Sequence, residues 1–239
     1  VSATLAPSGT AVLELRDVAA GYGEADVLLG ISLAVHEGSI VTLLGANGAG
    51  KTTVMRVACG ILRPSRGQVL VGSGDVTHAS AQRHAQAGVC LIPEGRGIFR
   101  SLSVRDNLEL FRPPWARRSS LDEVLETFPI LGGRLGQTAG TLSGGEQQML
   151  ALSRAFLSEA KVVLVDEVSM GLAPMLVDQI FEILAKIAAE GVAVLLVEQY
   201  VRRALEIADF AYVLNRGEIV LSGTTDHVSY DDVAGTYLT

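Results

Sequence analysis

Gly45-Ala46-Asn47-Gly48-Ala49-Gly50-Lys51-Thr52 matches G-x-x-x-x-G-K-[ST] at every fixed position. Glycine at these spacings lets successive backbone N–H groups turn inward around a polyphosphate, and the start of a following helix adds partial positive charge. Lys51 can then reach the β- and γ-phosphates, and the Thr52 hydroxyl can sit on Mg²⁺. The run Gly45 to Thr53 is therefore the candidate nucleotide-binding segment. A second pattern, Leu142-Ser143-Gly144-Gly145-Glu146-Gln147-Gln148, precedes Met149, Leu152 and Phe156 at i, i+3, i+7, which puts Ser143, Gly144 and Gly145 at a helix start. A serine hydroxyl and free N–H groups there make a second anion cradle. One chain does not need two cradles for one phosphate, so the spacing implies a dimer in which each chain offers this cradle to the nucleotide of the other.

Acidic residues complete the chemistry. The segment Lys161 to Asp166 reads as a buried strand that ends in Asp166-Glu167. The C-terminal edge of such a strand is where α/β sheets bind ligands. Asp166 would hold Mg²⁺ through water, and Glu167 could polarise an attacking water.

Elements that position these residues follow from the apolar pattern. Ile40 to Leu44 leads into the glycine loop, and Val54, Val57, Ala58 and Ile61 recur at helical spacing after it. Val12 to Val18 alternates as a half-buried strand, Gly21-Tyr22-Gly23 interrupts it, and Val27 to Val35 resumes. Gln68 to Val71, Gly88 to Ile92 and Val192 to Val197 read as strands, the last ending in Glu198-Gln199. Val177 to Ala189 is amphipathic, with Ile180, Ile183, Leu184 and Ile187 on one face. Arg202 to Ala208 is helical, and Ala211 to Leu214 pairs with Glu218 to Leu221 around Asn215-Arg216-Gly217 as a hairpin. From Arg100 to Leu142 the chain reads as a mainly helical insertion with its own small core and a solvated face at Arg112, Arg117 and Arg118. The tail from Thr224 is short and polar.

At 239 residues and 49% apolar content the chain can bury a substantial core in one domain, expected over residues 11–239 behind a flexible segment 1–10. A net charge of -7 argues against a broad basic nucleic-acid surface. Cys59 and Cys90 read as buried small hydrophobes, and the four histidines, without metal-ligand spacing, as surface residues. No apolar stretch approaches the ~20 residues needed to cross a bilayer. The first ten residues lack the basic region and apolar core of a secretory signal.

The glycine loop, the Leu142–Gln148 pattern and the Asp166-Glu167 strand, in this order and spacing, resemble an ABC-type ATPase subunit over Val12 to Ser222. That resemblance implies an α/β fold: a P-loop NTPase core with a mixed, mainly parallel sheet, an N-terminal antiparallel β portion, and a helical subdomain inserted at 94–142. It implies ATP and Mg²⁺ as cofactors and a head-to-tail dimer that closes over two ATP molecules. Tyr22 falls where the family stacks adenine, and Ser169-Met170-Gly171-Leu172 where a loop joins the two active sites. Glu94, in Ile92-Pro93-Glu94-Gly95-Arg96, stands where the family has a glutamine that senses the membrane partner and contacts nucleotide and metal. Gln199 stands where the family has a catalytic histidine, and Val168 where it commonly has proline.

With Gly171-Leu172-Ala173-Pro174, these variants are similar to the ATPase subunits of branched-chain amino acid importers. Urea importers carry close relatives, and Glu94 tilts the reading toward amino acids. The implied partners are transmembrane permease subunits, a second ABC ATPase subunit and, indirectly, a solute-binding protein. No nucleic acid is implied. The implied location is peripheral, on the cytoplasmic face of a bacterial or archaeal inner membrane. A soluble ABC protein acting on ribosomes or DNA is the rival class; such proteins usually carry two cassettes or a long coiled coil, and this chain has one loop of the Gly45 type and no sustained heptads. A nucleotide-gated regulator is a third reading, because Gln199 cannot carry charge and Val168 leaves the backbone after Glu167 less fixed. With Gln199 neutral, charge stabilisation during hydrolysis falls to Lys51 and Mg²⁺.

Overall fold

Alternation of Leu13, Leu15 and Val18 with polar neighbours builds β1 (Ala11–Tyr22), which pairs antiparallel with β2 (Ala25–His36). The computed structural model describes residues 10–23, 25–117 and 119–236. Most of the stretch expected to be flexible, and Arg118, lie outside them. β1 does not stop at Gly21, where the sequence reading placed an interruption. A Cβ on Gly21 would lie 1.9 Å from the Ala25 carbonyl oxygen, so glycine alone lets the strand stay paired to the edge of its turn. β4 (Arg66–Val71) and the two-residue β5 (Gly74–Asp75) complete a four-stranded antiparallel sheet in the order β2-β1-β4-β5.

The second sheet has the order β10-β9-β3-β8-β7-β6. Its parallel strands are β3 (Ile40–Leu44), β6 (Val89–Ile92), β7 (Val162–Asp166), β8 (Ala193–Val197) and β9 (Phe210–Asn215). β10 (Glu218–Thr224) returns antiparallel through a turn in which Arg216 and Gly217 have φ of 47° and 84°. Two consecutive positive φ values give the turn a twist that matches paired strands.

The parallel strands are mostly apolar because they face two cores. Val163, Val165, Val194 and Leu196 enter the core under the long helices, while Val162, Leu164, Leu195 and Val197 enter the core shared with the antiparallel sheet. Gly217 stitches the layers together. Its N–H donates to Ala49 O at 3.0 Å, and its carbonyl accepts from Leu29 N–H at 2.9 Å.

α1 (Lys51–Ala58) follows the glycine loop directly, and α2 (Ala81–Ala87) packs near β6. The helical pattern overran α1: the chain turns at Gly60, whose φ is 72°, and Ile61 stands 61% exposed beyond the helix. Between β6 and β7 come α3 (Val104–Phe111), α4 (Leu121–Thr127), the single turn α5 (Pro129–Gly132), and α6 (Gly144–Leu157). These helices do not form a core of their own. Val104, Leu108, Phe111, Phe128 and Leu131 join Leu150, Val163 and Val165 in one continuous cluster. Arg112 and Arg117 are exposed, as expected.

α7 (Pro174–Ala189) starts three residues before the expected helix and buries Ile180, Leu184 and Ile187. α8 (Val201–Ile207) follows β8, and the polar tail contains α9 (Tyr230–Thr236), held by Val233 alone among its fully buried residues. Cys59 and Cys90 are buried free thiols. The surface reading of the histidines fails for two of them. His36 is buried, and so is His84, whose ring nitrogens lie 3.0 Å from Ala58 O and 2.9 Å from Val76 O.

The shared core makes α3 a structural brace for the sheet. Leu108 is fully buried, so Leu108→Ala is expected to cost about 2–5 kcal/mol in urea-induced unfolding, while the exposed neighbour Glu109→Ala stays within about 0.5 kcal/mol.

Candidate active site

β3 delivers the chain at Leu44 to a loop that only glycine can make. Gly45 approaches β9 so closely that a Cβ would lie 2.3 Å from Leu214 O, and Gly48 and Gly50 have φ of 81° and 113°. The loop ends at α1, whose first turn carries no acidic residue to fill its electropositive end. Lys51 lies beneath the loop and donates through Nζ to Gly45 O at 2.8 Å and Ala46 O at 3.1 Å. Burial lowers its pKa, and Glu167 and Asp166 work the other way. An ammonium held by two carbonyls beside two carboxylates is poised to turn to a stronger anion such as a phosphate.

β7 and β8 supply the opposite wall. Asp166 is 5% exposed, and its carboxyl is pushed up to about 6 by burial, then by Glu167 and Glu94; a hydrogen bond to Thr52 and the charge of Lys51 oppose this. Glu167 is left-handed, with φ 49°, and its N–H donates to Val197 O at 2.9 Å, extending the β7–β8 ladder by one step. Gln199 Nε2 donates to Glu167 Oε2 at 2.9 Å. Glu198 turns the other way and is 2% exposed. Its carboxylate accepts from Ser169 Oγ at 2.6 Å, Ser169 N–H at 3.1 Å and Gln199 N–H at 3.2 Å. Burial raises the Glu198 pKa, these donors lower it, and the Glu167 charge adds a smaller upward push.

Around this wall a cavity of about 530 Å³ gathers Tyr22, Asn47, Gly48, Gly50, Lys51, Thr52, Thr53, Glu94, Glu167 and Gln199. Gly45, Ala46, Ala49 and Asp166 are not part of its lining. Met170, from the loop expected to join two active sites, also lines it, as does Val27, an apolar strand residue with no sequence signal of chemistry. Tyr22 is 47% exposed at the rim, and its hydroxyl accepts from Arg56 Nη1 at 2.9 Å. Arg56, in the last turn of α1, was also missed, because its role depends on β1 lying alongside that helix.

Thr52, Asp166 and Glu94 offer an oxygen donor set suited to a divalent cation. Burial raises Asp166 most, and repulsion from Glu167 and Glu94 adds to it; a cation would relieve both. Among the described residues no three His, Cys, Asp or Glu side chains form a metal-holding cluster by themselves. This donor set therefore suits an ion that arrives with phosphate oxygens.

Ser143, Gly144 and Gly145 do not line this cavity. They start α6 elsewhere on the surface. Ser143 is exposed and Gly144 half-buried, but Gly145 is buried, with a Cβ there 2.6 Å from Leu176. Ser143 and Glu146 form a capping box: the Ser143 N–H donates to Glu146 Oε2 at 2.8 Å, and Glu146 N–H to Ser143 Oγ at 3.3 Å. Arg134 pairs with Glu146 at 2.7 Å. The cradle thus already holds a carboxylate of its own chain, whose pKa the Ser143 N–H lowers.

Comparison with known proteins agrees with this geometry. Residues 28–170 match the family model described as ABC transporter. The chain is 42% identical over 216 residues to the high-affinity branched-chain amino acid transport ATP-binding protein BraG of Pseudomonas aeruginosa, covering 89% of this chain and 93% of that one. It is 33% identical to the probable branched-chain amino acid transport ATP-binding protein LivF of Archaeoglobus fulgidus, over 87% of this chain and 90% of that one. It is also 33% identical to the lipopolysaccharide export system ATP-binding protein LptB of Haemophilus influenzae, over 92% and 94%. Among solved structures, an ATP-binding subunit of an ABC transporter superposes with a TM-score of 0.83 at 25% identity, covering 95% of this chain and all of that one. A cassette of an ABC transporter in its ADP conformation gives the same TM-score and identity, over 95% and 98%. The chain therefore belongs to the ABC transporter family as an ATP-binding, ATP-hydrolysing subunit.

Proposed function

We propose that this ATPase is the energy-coupling subunit of an importer for branched-chain, hydrophobic amino acids. The 42% identity to BraG across nearly the whole of both chains carries that reading. Glu94, Gln199 and the Gly171–Pro174 turn support it. In this reading the subunit sits on the cytoplasmic face of the membrane, pairs with a second ABC ATPase subunit, and docks on transmembrane permease subunits. No helix among the described residues is long and apolar enough to cross a membrane, which accords with a peripheral place.

Backbone N–H groups of the Gly45–Thr53 segment bind the polyphosphate, Lys51 leaves its two carbonyls for phosphate oxygens, and Tyr22 supports the base. Thr52, Asp166 and Glu94 would hold Mg²⁺, which when bound neutralises charge on the phosphates. Glu167 orients water for attack on the γ-phosphorus and takes its proton as the bond to the β-phosphate oxygen breaks. Gln199 fixes the Glu167 carboxylate through its amide. Exposed Ser143 and half-buried Gly144 present the cradle of α6 to the nucleotide of the second subunit.

Permease contact is assigned to an apolar groove of about 450 Å³ between the end of α1, β6 and α3. Ile61, Phe99, Leu110 and Trp115 stand exposed along it. Pro93, immediately before Glu94, lines the same groove. A segment seated there therefore abuts the loop that reaches the nucleotide cavity.

Glu167→Gln is expected to keep ATP binding, trap an ATP-bound dimer visible by gel filtration, and lower hydrolysis by about a hundredfold or more. Unaltered turnover would remove Glu167 from its assigned role. Leu110→Asp is expected to leave the basal rate of the purified subunit intact and to abolish solute stimulation in vesicles holding the whole transporter. In those vesicles, with the matching solute-binding protein, leucine, isoleucine and valine should stimulate hydrolysis where urea does not; stimulation by urea alone would refute the amino acid assignment.

A further inference from the structure

Glu198 takes no part in the steps above, yet it is an acid buried to 2% exposure whose acceptors are filled by neutral donors. Burying a carboxylate among neutral donors costs desolvation that its hydrogen bonds must offset, so such a group is weak evidence for stability. What it supplies is direction. We propose that Glu198 is a positioning residue for hydrolysis: its carboxylate locks the turn after β7 to the turn after β8 and so holds Glu167 and Gln199 face to face. The inference rests on the assignment of Glu167 as the residue that orients water.

The contacts close a ring. Glu198 grips Ser169 by both its N–H and its hydroxyl, at 3.1 and 2.6 Å, and it caps the N–H of Gln199 at 3.2 Å. Gln199 reaches across through its amide to Glu167 at 2.9 Å, and Glu167 leads back through buried Val168 to Ser169. The base of the ring is buried, with Ser169 fully enclosed, while its top faces the nucleotide cavity.

Glu167 needs such a hold. Its φ of 49° lies in the left-handed region that a non-glycine residue adopts only when its surroundings impose it. On one side its own N–H is tied to Val197 O. On the other the first anchored residue is Ser169, and Glu198 is that anchor. Without the carboxylate, the β7 turn keeps only the last ladder bond and the Gln199–Glu167 side-chain contact to the β8 turn, and Ser169 loses its anchor. Glu167 can then relax toward a commoner backbone conformation, carrying its carboxylate away from the Gln199 amide. The glycine loop and Lys51 are built from β3 and α1, and hold ATP regardless. The signature is therefore a loss in kcat without a loss in nucleotide affinity.

The test uses the full chain with Mg-ATP, measuring kcat, KM and ATP affinity together with melting temperature. Glu198→Ala is expected to lower kcat by about 10- to 100-fold, with KM and ATP affinity within about twofold of the starting protein. Glu198→Gln keeps the shape and one carbonyl acceptor, so it should recover most of the rate, within about fivefold of the starting protein. Ser169→Ala should lower kcat less than Glu198→Ala and add little to it in the double variant, because both cut one contact. Amide exchange in the 166–172 segment should quicken in Glu198→Ala, reporting the freed turn directly even where that variant is too unstable for kinetics. Unchanged kcat in Glu198→Ala, additive losses in the double variant, or a KM that rises in step with a falling melting temperature would each overturn the proposal. Glu167→Gln run beside these separates the two ideas. Full turnover in that variant defeats the water-orienting assignment, whereas its silence combined with a normal Glu198→Ala defeats only the positioning role.

Discussion

Like charges gathered at one end of a parallel sheet repel one another, and the architecture around the cavity depends on how that repulsion is held in check. Asp166, Glu167 and Glu94 converge from two edges of the site, and the ammonium of Lys51 stands between them as the nearby cation. The lysine is itself half-satisfied by the carbonyls of Gly45 and Ala46. The resting site is therefore charge-frustrated on the acidic side and loosely engaged on the basic side. A polyphosphate brings anionic oxygens to the lysine, and a divalent ion travelling with it relieves the carboxylates. Each would offset an imbalance that the other makes worse, so nucleotide and a divalent cation would favour each other's binding here.

The second anion cradle shows the same principle at the surface. α6 begins with a serine and two glycines, as an anion-binding helix start should, but Glu146 already occupies the free N–H of Ser143 and is in turn neutralised by Arg134. The capping box joins Ser143 to Glu146 and does not involve Gly144 or Gly145. Exposure of Ser143 beside burial of Gly145 fits a site whose outer lip is ready and whose inner lip is closed by Leu176.

How much was legible in the sequence follows from range. The glycine loop, the buried strands and the hairpin at Asn215–Gly217 are local: their residues carry both the backbone preference and the burial pattern, and they folded as read. Gly21 and Tyr22 were misjudged because two glycines near a strand end look like a break, whereas the chain needs one of them to pair more tightly. Ile61 fits the helical period but falls after Gly60, where the backbone turns. His84 is buried because carbonyls from α1 and the loop after β5 surround it, and nothing adjacent in sequence announces them. The helical segment lost its expected private core for a related reason: its apolar residues are the cover for one face of the parallel sheet. At the active site, Lys51, Asp166 and Glu167 were readable from type and spacing. Arg56, Val27 and the contacts of Glu198 depend on which segments meet in space, and a linear pattern does not encode that meeting.

Gly217 gives one more consequence. Its amide and carbonyl fasten the glycine loop to the first antiparallel strand pair, by way of a tight turn that tolerates no side chain: a Cβ there would lie 2.1 Å from Val27 O. This knot ties the phosphate loop to the antiparallel sheet by hydrogen bonds, beside the apolar core that the two sheets share. Nucleotide held in the loop, by favouring the folded state, would therefore steady the seam between the sheets as well as the loop itself.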